Sequence, residues 1–464
     1  METTISKKNL KRILMLASKF SDKNLVRIVN LAEKTISDDN LIRAQIEAIK
    51  KLIQEKHPSV ELMRKIHKEL SKNSKNKLIE NFFFNAEIYG RQSQKELKSK
   101  LGFRPPWFMV ISPTARCNLN CSGCYAGNYV KDEGLSFEIV DRVLTEAKEL
   151  SIYFVTISGG EPYMWPHLLK IFEKHNDMYF QTYTNGTLLN KEMVKKIAKL
   201  GNVAPAISIE GLEKETDERR GKGTFNKVMQ AMDNLKNAGV LFGFSATPTK
   251  FNIDILMSDE FIDLMIEKGC YFGWYFQYVP IGRKPDINLM STPEQRNKLR
   301  ERIHEIRRTK PIFIGDFWND GPFVGGCISG ARPGGYFHIN CNGDVEPCVF
   351  LQFSTDNIKD KKLIDVIQSP FFKALQEAQP YCKNKNLLAP CALIDHPEVL
   401  RDIVKKYNAK PSYNGSDDVI NNPEICEFLN KYSKAFINLT DPVWEKEYDP
   451  SKHKHWKEFD SNFV

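Results

Sequence analysis

The strongest constraint on the fold is a regular alternation of short apolar runs with amphipathic helical stretches from Trp107 onward. Six runs have the length and the aromatic or β-branched content of strands, at residues 107–112, 153–158, 178–184, 203–209, 240–247 and 271–278. Helical stretches lie between most of them, at 136–150, 190–200, 224–238 and 258–268. Because parallel strands need a crossover connection, this order predicts an α/β fold whose parallel sheet forms a partial (β/α)6 barrel of the TIM type.

The first hundred residues differ from the barrel region in pattern and in charge. Apolar side chains recur there at helical spacing, as at Ile42, Ile46, Ile49 and Ile53. This region carries 22 basic and 12 acidic side chains, whereas the net charge of the whole chain is +9. We expect a basic, all-helical unit over residues 1–102. Its charge fits a solubilising surface, an acidic partner or an anionic membrane surface, and no nucleic-acid partner is expected because no such motif is present.

The expected barrel core covers residues 103–312. After it, the periodicity of helices and strands is lost. The segment that follows is rich in Gly, Pro and Cys, and a metal often holds such a segment together because little apolar area is available for burial. We expect a Cys-rich C-terminal extension over 313–440 and a tail over 441–464. No apolar run approaches the ~18 residues of a membrane span, and no signal peptide is recognisable. A cytoplasmic protein is therefore expected, with peripheral attachment to a membrane left open.

Three of the ten cysteines fall within eight residues. Cys117, Cys121 and Cys124 form a Cys-x3-Cys-x2-Cys pattern on the loop that follows the first strand, which is where barrel enzymes place their chemistry. Three thiolates can hold three irons of a [4Fe–4S] cube and leave the fourth iron open to another ligand. A structural zinc site, or thiols that bind no metal, are the alternatives for these residue types.

This loop resembles that of radical S-adenosylmethionine enzymes. Residues 158–162, SGGEP, close the second strand and resemble the family's GGEP motif, whose backbone and acidic residue receive the methionine amino group of the cofactor. In the family an aromatic residue precedes the third cysteine; here Gly123 has that place and Tyr125 follows the cysteine. The resemblance implies these cofactor contacts: Tyr125, Gly159, Gly160 and Glu161.

Three further matches follow in the order of the family. Asn185 ends the third strand, and Ser208 and Glu210 lie in a turn after the fourth that resembles one contacting the cofactor ribose. Arg219 and Arg220 lie in a basic turn, and the resemblance implies that one of them pairs in bidentate fashion with the cofactor carboxylate. A solvated charged loop is the alternative for the two arginines.

The resemblance implies an oxidoreductase that cleaves S-adenosylmethionine reductively. A [4Fe–4S] cluster chelates the amino and carboxylate groups of the cofactor, and its electron yields a 5′-deoxyadenosyl radical that abstracts hydrogen from a substrate. A reductant such as flavodoxin or ferredoxin is the implied partner. The substrate, which is a peptide, a lipid or a small molecule, stays open, and no catalytic side chain is assigned. The alternative is a non-catalytic iron–sulfur or zinc protein that serves electron transfer or binding.

The C-terminal cysteines carry a second resemblance. Cys327-x15-Gly343-x4-Cys348 resembles the opening of the SPASM and twitch extensions, whose cysteines ligate an auxiliary [4Fe–4S] cluster. The family continues with Cys-x2-Cys-x5-Cys-x3-Cys, but the best register here, from Cys382, has Lys385 and Asp395 in place of two cysteines. One auxiliary cluster is therefore expected, and the candidate ligands are Cys327, Cys348, Cys391, Cys382 and Cys426. Structural zinc, or thiols that only hold the segment together, are the alternatives.

Overall fold

Seven parallel strands form the centre of the fold, and the computed structural model describes residues 47, 50–132, 134–382 and 384–448. Along the sheet the strands follow their order in the chain. They are β1 (Phe108–Ile111), β2 (Phe154–Ile157), β3 (Tyr179–Thr184), β4 (Val203–Ser208), β5 (Gly243–Ala246), β6 (Phe272–Tyr275) and β7 (Phe313–Asp316). The predicted α/β barrel and its six strands are confirmed, and a seventh strand is added.

The sheet is extended at β1 by two short strands of the C-terminal segment. β8 (His338–Ile339) pairs in parallel with β1, and β9 (Val345–Glu346) pairs antiparallel with β8. Strands β10 (Phe353–Ser354) and β11 (Lys410–Pro411) form a separate antiparallel pair. In the described part of the chain β7 and β9 are the two edges of the sheet, so the barrel is partial.

Helices connect the strands and cover the outside of the sheet. Those before β4 are α1 (Pro58–Glu69), α2 (Lys72–Lys77), α3 (Arg91–Leu101), α4 (Phe137–Glu149), α5 (Leu168–Lys174) and α6 (Lys191–Leu200), with a π-helix at Leu78–Gly90. Those from β4 to β7 are α7 (Glu213–Arg220), α8 (Thr224–Asn237), α9 (Ile253–Met257), α10 (Asp259–Glu267) and α11 (Pro293–Thr309). Those after β7 are α12 (Gly321–Val324), α13 (Leu363–Ile367), α14 (Pro370–Glu377), α15 (Pro397–Tyr407), α16 (Asp418–Asn421) and α17 (Pro423–Glu447). Among these described helices none is long and apolar enough to cross a membrane.

Polar side chains cap the starts of the crossover helices α4 and α6, and α4 packs through one apolar face. Ser136 accepts a hydrogen bond from the third residue of α4, and Asn190 does the same for α6. The buried face of α4 consists of residues at helical spacing: Val140, Val143, Leu144 and Ala147. The caps fix the start of each helix, and the apolar face fixes its rotation on the sheet.

The described part of the N-terminal unit packs against the amino ends of the strands. The Phe82 ring lies 5.4 Å from that of Phe154 and 5.7 Å from that of Tyr179. Asn81 donates to the carbonyls of two barrel residues, at 2.8 Å each, so the π-helix is also fixed by hydrogen bonds. The predicted helical repeat through Ile42, Ile46 and Ile49 lies outside the described residues.

A buried ion pair joins the C-terminal segment to the barrel. Arg296 of α11 and Asp395 are both fully buried, and their side chains form two hydrogen bonds of 2.6 and 3.1 Å. The Arg296 guanidinium also lies 3.7 Å from the ring centroid of Phe436 in α17. Three segments that are distant in the chain therefore meet at one guanidinium group, and α17 continues beyond the predicted boundary at residue 440 as far as Glu447.

Candidate active site

The cysteine loop after β1 lies directly against the turn after β2. The backbone N–H groups of Gly160 and Glu161 donate to the carbonyls of Thr114 and Arg116, at 2.9 and 2.8 Å. A Cβ atom on Gly160 would lie 2.2 Å from the Arg116 carbonyl oxygen, closer than real atoms come. Glycine is therefore needed here for the approach of two backbones.

A cavity of about 1810 Å³ opens beside this junction. Its wall contains ten of the residues that the sequence predicts for the cluster and the cofactor: Cys117, Cys121, Cys124, Tyr125, Gly159, Gly160, Asn185, Ser208, Arg219 and Arg220. These residues come from the carboxyl ends of four strands, which parallel strands bring to one side of the sheet. Glu161 and Glu210, also predicted as cofactor contacts, are fully buried behind this wall.

Hydrogen-bond donors lie next to two of the three thiols. Asn185 Nδ2 is 3.8 Å from Cys117 Sγ, and Arg220 Nη1 is 4.0 Å from Cys121 Sγ. Burial raises the pKa of Cys117, so a thiolate at this position needs such donors or a metal. Within the described ranges no three Cys, His, Asp or Glu side chains are grouped as around a single metal ion. In a [4Fe–4S] cube each thiolate binds a different iron, and three thiols, two of them with N–H donors beside them, fit that group.

The Glu161 carboxylate is occupied by protein donors. It accepts from the backbone N–H of Tyr163 at 3.1 Å, from Thr184 Oγ1 at 2.7 Å and from the backbone N–H of Asn185 at 2.8 Å. Burial raises the pKa of Glu161 to about 6. The carboxylate therefore fixes the turn after β3, and through it the Asn185 side chain, which donates to Asn118 Oδ1 at 2.8 Å.

Glu210 holds Arg219 and Arg220, which the sequence predicts in a basic turn and which are the last two residues of α7. Its Oε1 lies 2.5 Å from Arg220 Nη2 and 2.6 Å from Arg219 Nη1. Burial opposes the charge on Arg220, but Glu210 and the Cys121 thiol outweigh burial and raise the pKa of Arg220. The Arg220 guanidinium thus stays charged at the cavity wall, with Arg219 beside it, where an anionic group of a ligand would meet them.

Tyr278 lies beside the position where the resemblance expects an aromatic residue. Gly123 has φ +61°, and a Cβ atom there would lie 2.7 Å from the Tyr278 ring. The ring thus lies against Gly123, although Tyr278 comes from the loop after β6. Tyr125 contributes to the wall from the other side of the loop, and its hydroxyl bonds with Ser158 Oγ at 2.7 Å.

The sequence prediction missed Arg283, which supports the cysteine loop from behind. Its backbone N–H donates to the Cys124 carbonyl at 3.0 Å, and its Nη1 donates to the Cys121 carbonyl at 3.1 Å. The signal that could have found it is its place in the loop after the sixth strand, at the same end of the barrel as the cysteines.

Electrostatic effects connect three of the five candidate auxiliary ligands. Burial, followed by Asp395, Cys327 and Cys348, raises the pKa of the Cys391 thiol well above its usual value. Cys327 in turn raises the pKa of Cys348, after burial. The other two candidates have different neighbours: the Cys382 thiol donates to Asn384 Oδ1 at 2.8 Å and the Cys426 thiol to the Val419 carbonyl at 3.7 Å.

Comparison with known proteins gives two family matches and several relatives. Residues 111–258 match the radical SAM superfamily, and residues 327–392 match the SPASM iron–sulfur cluster-binding domain. The mycofactocin maturase MftC of Mycolicibacterium smegmatis is 29% identical over 298 residues, which are 60% of this chain and 74% of the relative. The Fe-coproporphyrin III synthase of Methanosarcina barkeri is 29% identical over 253 residues, which are 51% of this chain and 62% of the relative.

Solved structures show the same fold. SuiB of Streptococcus suis, bound to S-adenosylmethionine, superposes with a TM-score of 0.55 at 20% identity, over 65% of this chain and 76% of SuiB. A radical SAM core takes a [4Fe–4S] cluster and S-adenosylmethionine, and a SPASM segment takes auxiliary iron–sulfur clusters. Residues 111–258 are therefore a radical SAM domain and residues 327–392 a SPASM extension, and the protein is an enzyme of the radical SAM type.

Proposed function

We propose that Cys117, Cys121 and Cys124 hold the catalytic [4Fe–4S] cluster and that the wall of the cavity beside them binds S-adenosylmethionine. The observation that carries this proposal is that these thiols and the polar ends of β2, β3 and β4 line one cavity. When bound, the reduced cluster and S-adenosylmethionine supply a carbon radical that abstracts hydrogen from a substrate. The protein contributes orientation of the reactants and exclusion of water.

Individual side chains have separate tasks in this proposal. Asn185 and Arg220 donate toward the cysteine sulfurs, and one of the guanidinium groups of Arg219 and Arg220 receives the carboxylate of the cofactor. Glu210 keeps that pair of arginines in place, and Glu161 keeps Asn185 in place. These two glutamates act as positioning residues, because their carboxylates already have protein partners.

We further propose one auxiliary cluster, held by Cys327, Cys348 and Cys391, with residues 313–440 as its domain. Cys327 and Cys348 both contribute to the raised pKa of Cys391, and Cys327 contributes to that of Cys348, which supports the grouping. A low-potential protein such as flavodoxin or ferredoxin is the proposed electron donor. The helical unit at 1–102 and the core at 103–312 are proposed as the other two functional parts, ahead of a tail at 441–464.

The proposal is tested by anaerobic reconstitution of the full chain with iron and sulfide. After reduction, the loaded protein is expected to convert S-adenosylmethionine to 5′-deoxyadenosine and methionine, both measured by liquid chromatography. Absence of 5′-deoxyadenosine from protein with a fully loaded cluster would contradict the proposal and favour a non-catalytic iron–sulfur protein.

Gly160→Ala is expected to lower the affinity of the cysteine loop for its cluster by about tenfold or more, as loss of support around metal ligands does. The reason is that the added methyl group would meet the Ala115 and Arg116 carbonyls at 2.5 and 2.2 Å and push the loop away. Iron and acid-labile sulfide per chain measure the effect.

Gly102→Ala is the control for this variant. Gly102 has φ +75° and an open space around its Cβ position, so alanine there adds backbone strain without a clash. Its iron content should equal that of the wild type. Equal iron content in Gly160→Ala would show that the loop does not depend on this close approach.

A further inference from the structure

The cavity extends from the cysteine loop through the barrel to its amino end. Every second residue of β3 lines the cavity, namely Tyr179, Gln181 and Tyr183, because alternate side chains of a strand point to the same face. At the amino end, residues of the N-terminal helices continue the cavity wall. Its volume of about 1810 Å³ exceeds the roughly 300–1,000 Å³ of an ordinary small-molecule pocket. Room therefore remains for a long substrate beside the cofactor.

Two glycines occupy inward positions in the middle of the barrel. TIM-type barrels usually fill this space with layers of bulky side chains. Here the residues two positions before and after Gly243 and Gly315 line the cavity, so both glycines face it. A Cβ atom on Gly315 would lie 2.4 Å from Trp274 Cζ3. The Cβ position of Gly243 is 2.5 Å from Phe272 Cδ2. The Trp274 and Phe272 rings thus occupy the space that a side chain at these two positions would need.

The wall of this passage is mainly aromatic and aliphatic. Side chains that form it between the cofactor site and the amino end are Phe108, Val110, Phe154, Tyr179, Leu241, Phe272, Trp274 and Phe276. A peptide in such a passage would leave backbone N–H and C=O groups without partners, at several kcal/mol for each group. An alkyl chain has no such groups and gains about 0.8 kcal/mol for each methylene it buries.

The amino end of the passage carries basic and exposed apolar side chains together. We name it the basal mouth, formed by Met63, Lys72, Lys75, Phe83 and Arg91. Met63 is 48% exposed and Phe83 is 44% exposed, whereas most large apolar side chains of the described chain are buried. Apolar side chains beside lysines suit the boundary between the acyl chains and the anionic head groups of a lipid layer.

We propose that the substrate is a membrane lipid with a long alkyl chain and an anionic head group. The chain enters through the basal mouth and runs inside the barrel toward the cofactor site, and the head group stays at Lys72 and Lys75. This inference rests on the proposed function, because it takes the cysteine end of the cavity as the reaction site. It identifies the substrate class, which the family matches leave open.

Binding of a nitroxide-labelled stearate to the reconstituted full chain tests the proposal by electron paramagnetic resonance. One equivalent of immobilised probe is expected per chain. Unlabelled alkanoates should displace it with affinities that fall about tenfold for every two methylenes removed. A probe that stays mobile would overturn the inference, as would competition that is independent of chain length.

Two variants locate the probe. Ala204→Trp places a large ring in the basal part of the wall and should abolish binding, with iron content as the check that the variant folds. The double variant Lys72→Glu and Lys75→Glu should weaken binding at least tenfold, whereas Lys227→Glu, on the exposed outside of α8, should not. Binding that none of these variants changes would be adsorption to the surface and would overturn the proposal.

The two assays distinguish a failure of this inference from a failure of the proposed function. Wild-type protein that forms 5′-deoxyadenosine but does not bind the stearate probe would keep the radical SAM site and remove the lipid. Displacement of the bound probe by a short peptide, but not by alkanoates, would assign the passage to a peptide substrate and would equally overturn the inference.

Discussion

Cys121→Ala is expected to reduce the formation of 5′-deoxyadenosine from S-adenosylmethionine by more than about 100-fold. Changes in residues that only support metal ligands already cost about 10–100-fold, and Cys121 is a proposed ligand itself. The Arg220 guanidinium, whose Nη1 lies 4.0 Å from Cys121 Sγ, would lose this sulfur as a hydrogen-bond acceptor as well. Product formation is measured anaerobically after reduction, together with iron content.

Two other cysteine variants serve as comparisons. Cys327→Ala should remove the iron of the auxiliary cluster and leave cleavage of S-adenosylmethionine, because the loop after β1 is unchanged. Cys270 is fully buried beside β6, with no proposed ligand role, so Cys270→Ala should keep both iron and product. Full product formation by Cys121→Ala would disprove the assignment of the cysteine loop.

Asp395→Ala is expected to lower the free energy of unfolding by about 3–5 kcal/mol, which is typical when one partner of a buried ion pair is removed. Arg296 would keep its charge in a fully buried place, with Asn319 Oδ1 at 3.0 Å and the Phe436 ring as its remaining neighbours. The Cys391 backbone N–H would also lose its acceptor, Asp395 Oδ2 at 3.0 Å. Urea unfolding followed by circular dichroism measures the effect.

An exposed ion pair provides the matched control. Lys431 and Glu427 of α17 are 2.6 Å apart, but their side chains are 75% and 68% exposed. Glu427→Ala should leave the free energy of unfolding nearly unchanged, because solvent screens so exposed a pair. If Asp395→Ala costs no more than this control, the buried pair does not hold the C-terminal segment to the barrel.

The barrel could be predicted from the sequence because its six strands combine apolar runs with regular crossover helices. Strand β7 was missed because its four residues include Gly315 and follow Lys310-Pro311, which weakens the strand pattern. The helical repeat before residue 47 remains a prediction. So does each assignment of a residue to the cluster or to the cofactor.

The partners inside the site could not be predicted, because they depend on contacts between distant loops. The sequence shows that Glu210 and Arg220 are 10 positions apart. It does not show that Glu210 Oε1 and Arg220 Nη2 form an ion pair at 2.5 Å. It likewise shows Gly123 where the family has an aromatic residue, but not the Tyr278 ring lying against it. Asp395, which stands where the SPASM pattern has a cysteine, has become half of an ion pair.

The pairing of β1 with β8 sets an order of events during synthesis of the chain. Ser112 Oγ bonds with His338 Nε2 at 2.8 Å, although 226 positions separate the two residues. At ~5–20 residues per second, a ribosome needs roughly 10–45 s to travel between them. One edge of β1 stays unpaired during that time, with the cysteine loop beside it. We therefore expect the interval before β8 emerges to be the period when the machinery that delivers iron and sulfide has its easiest access.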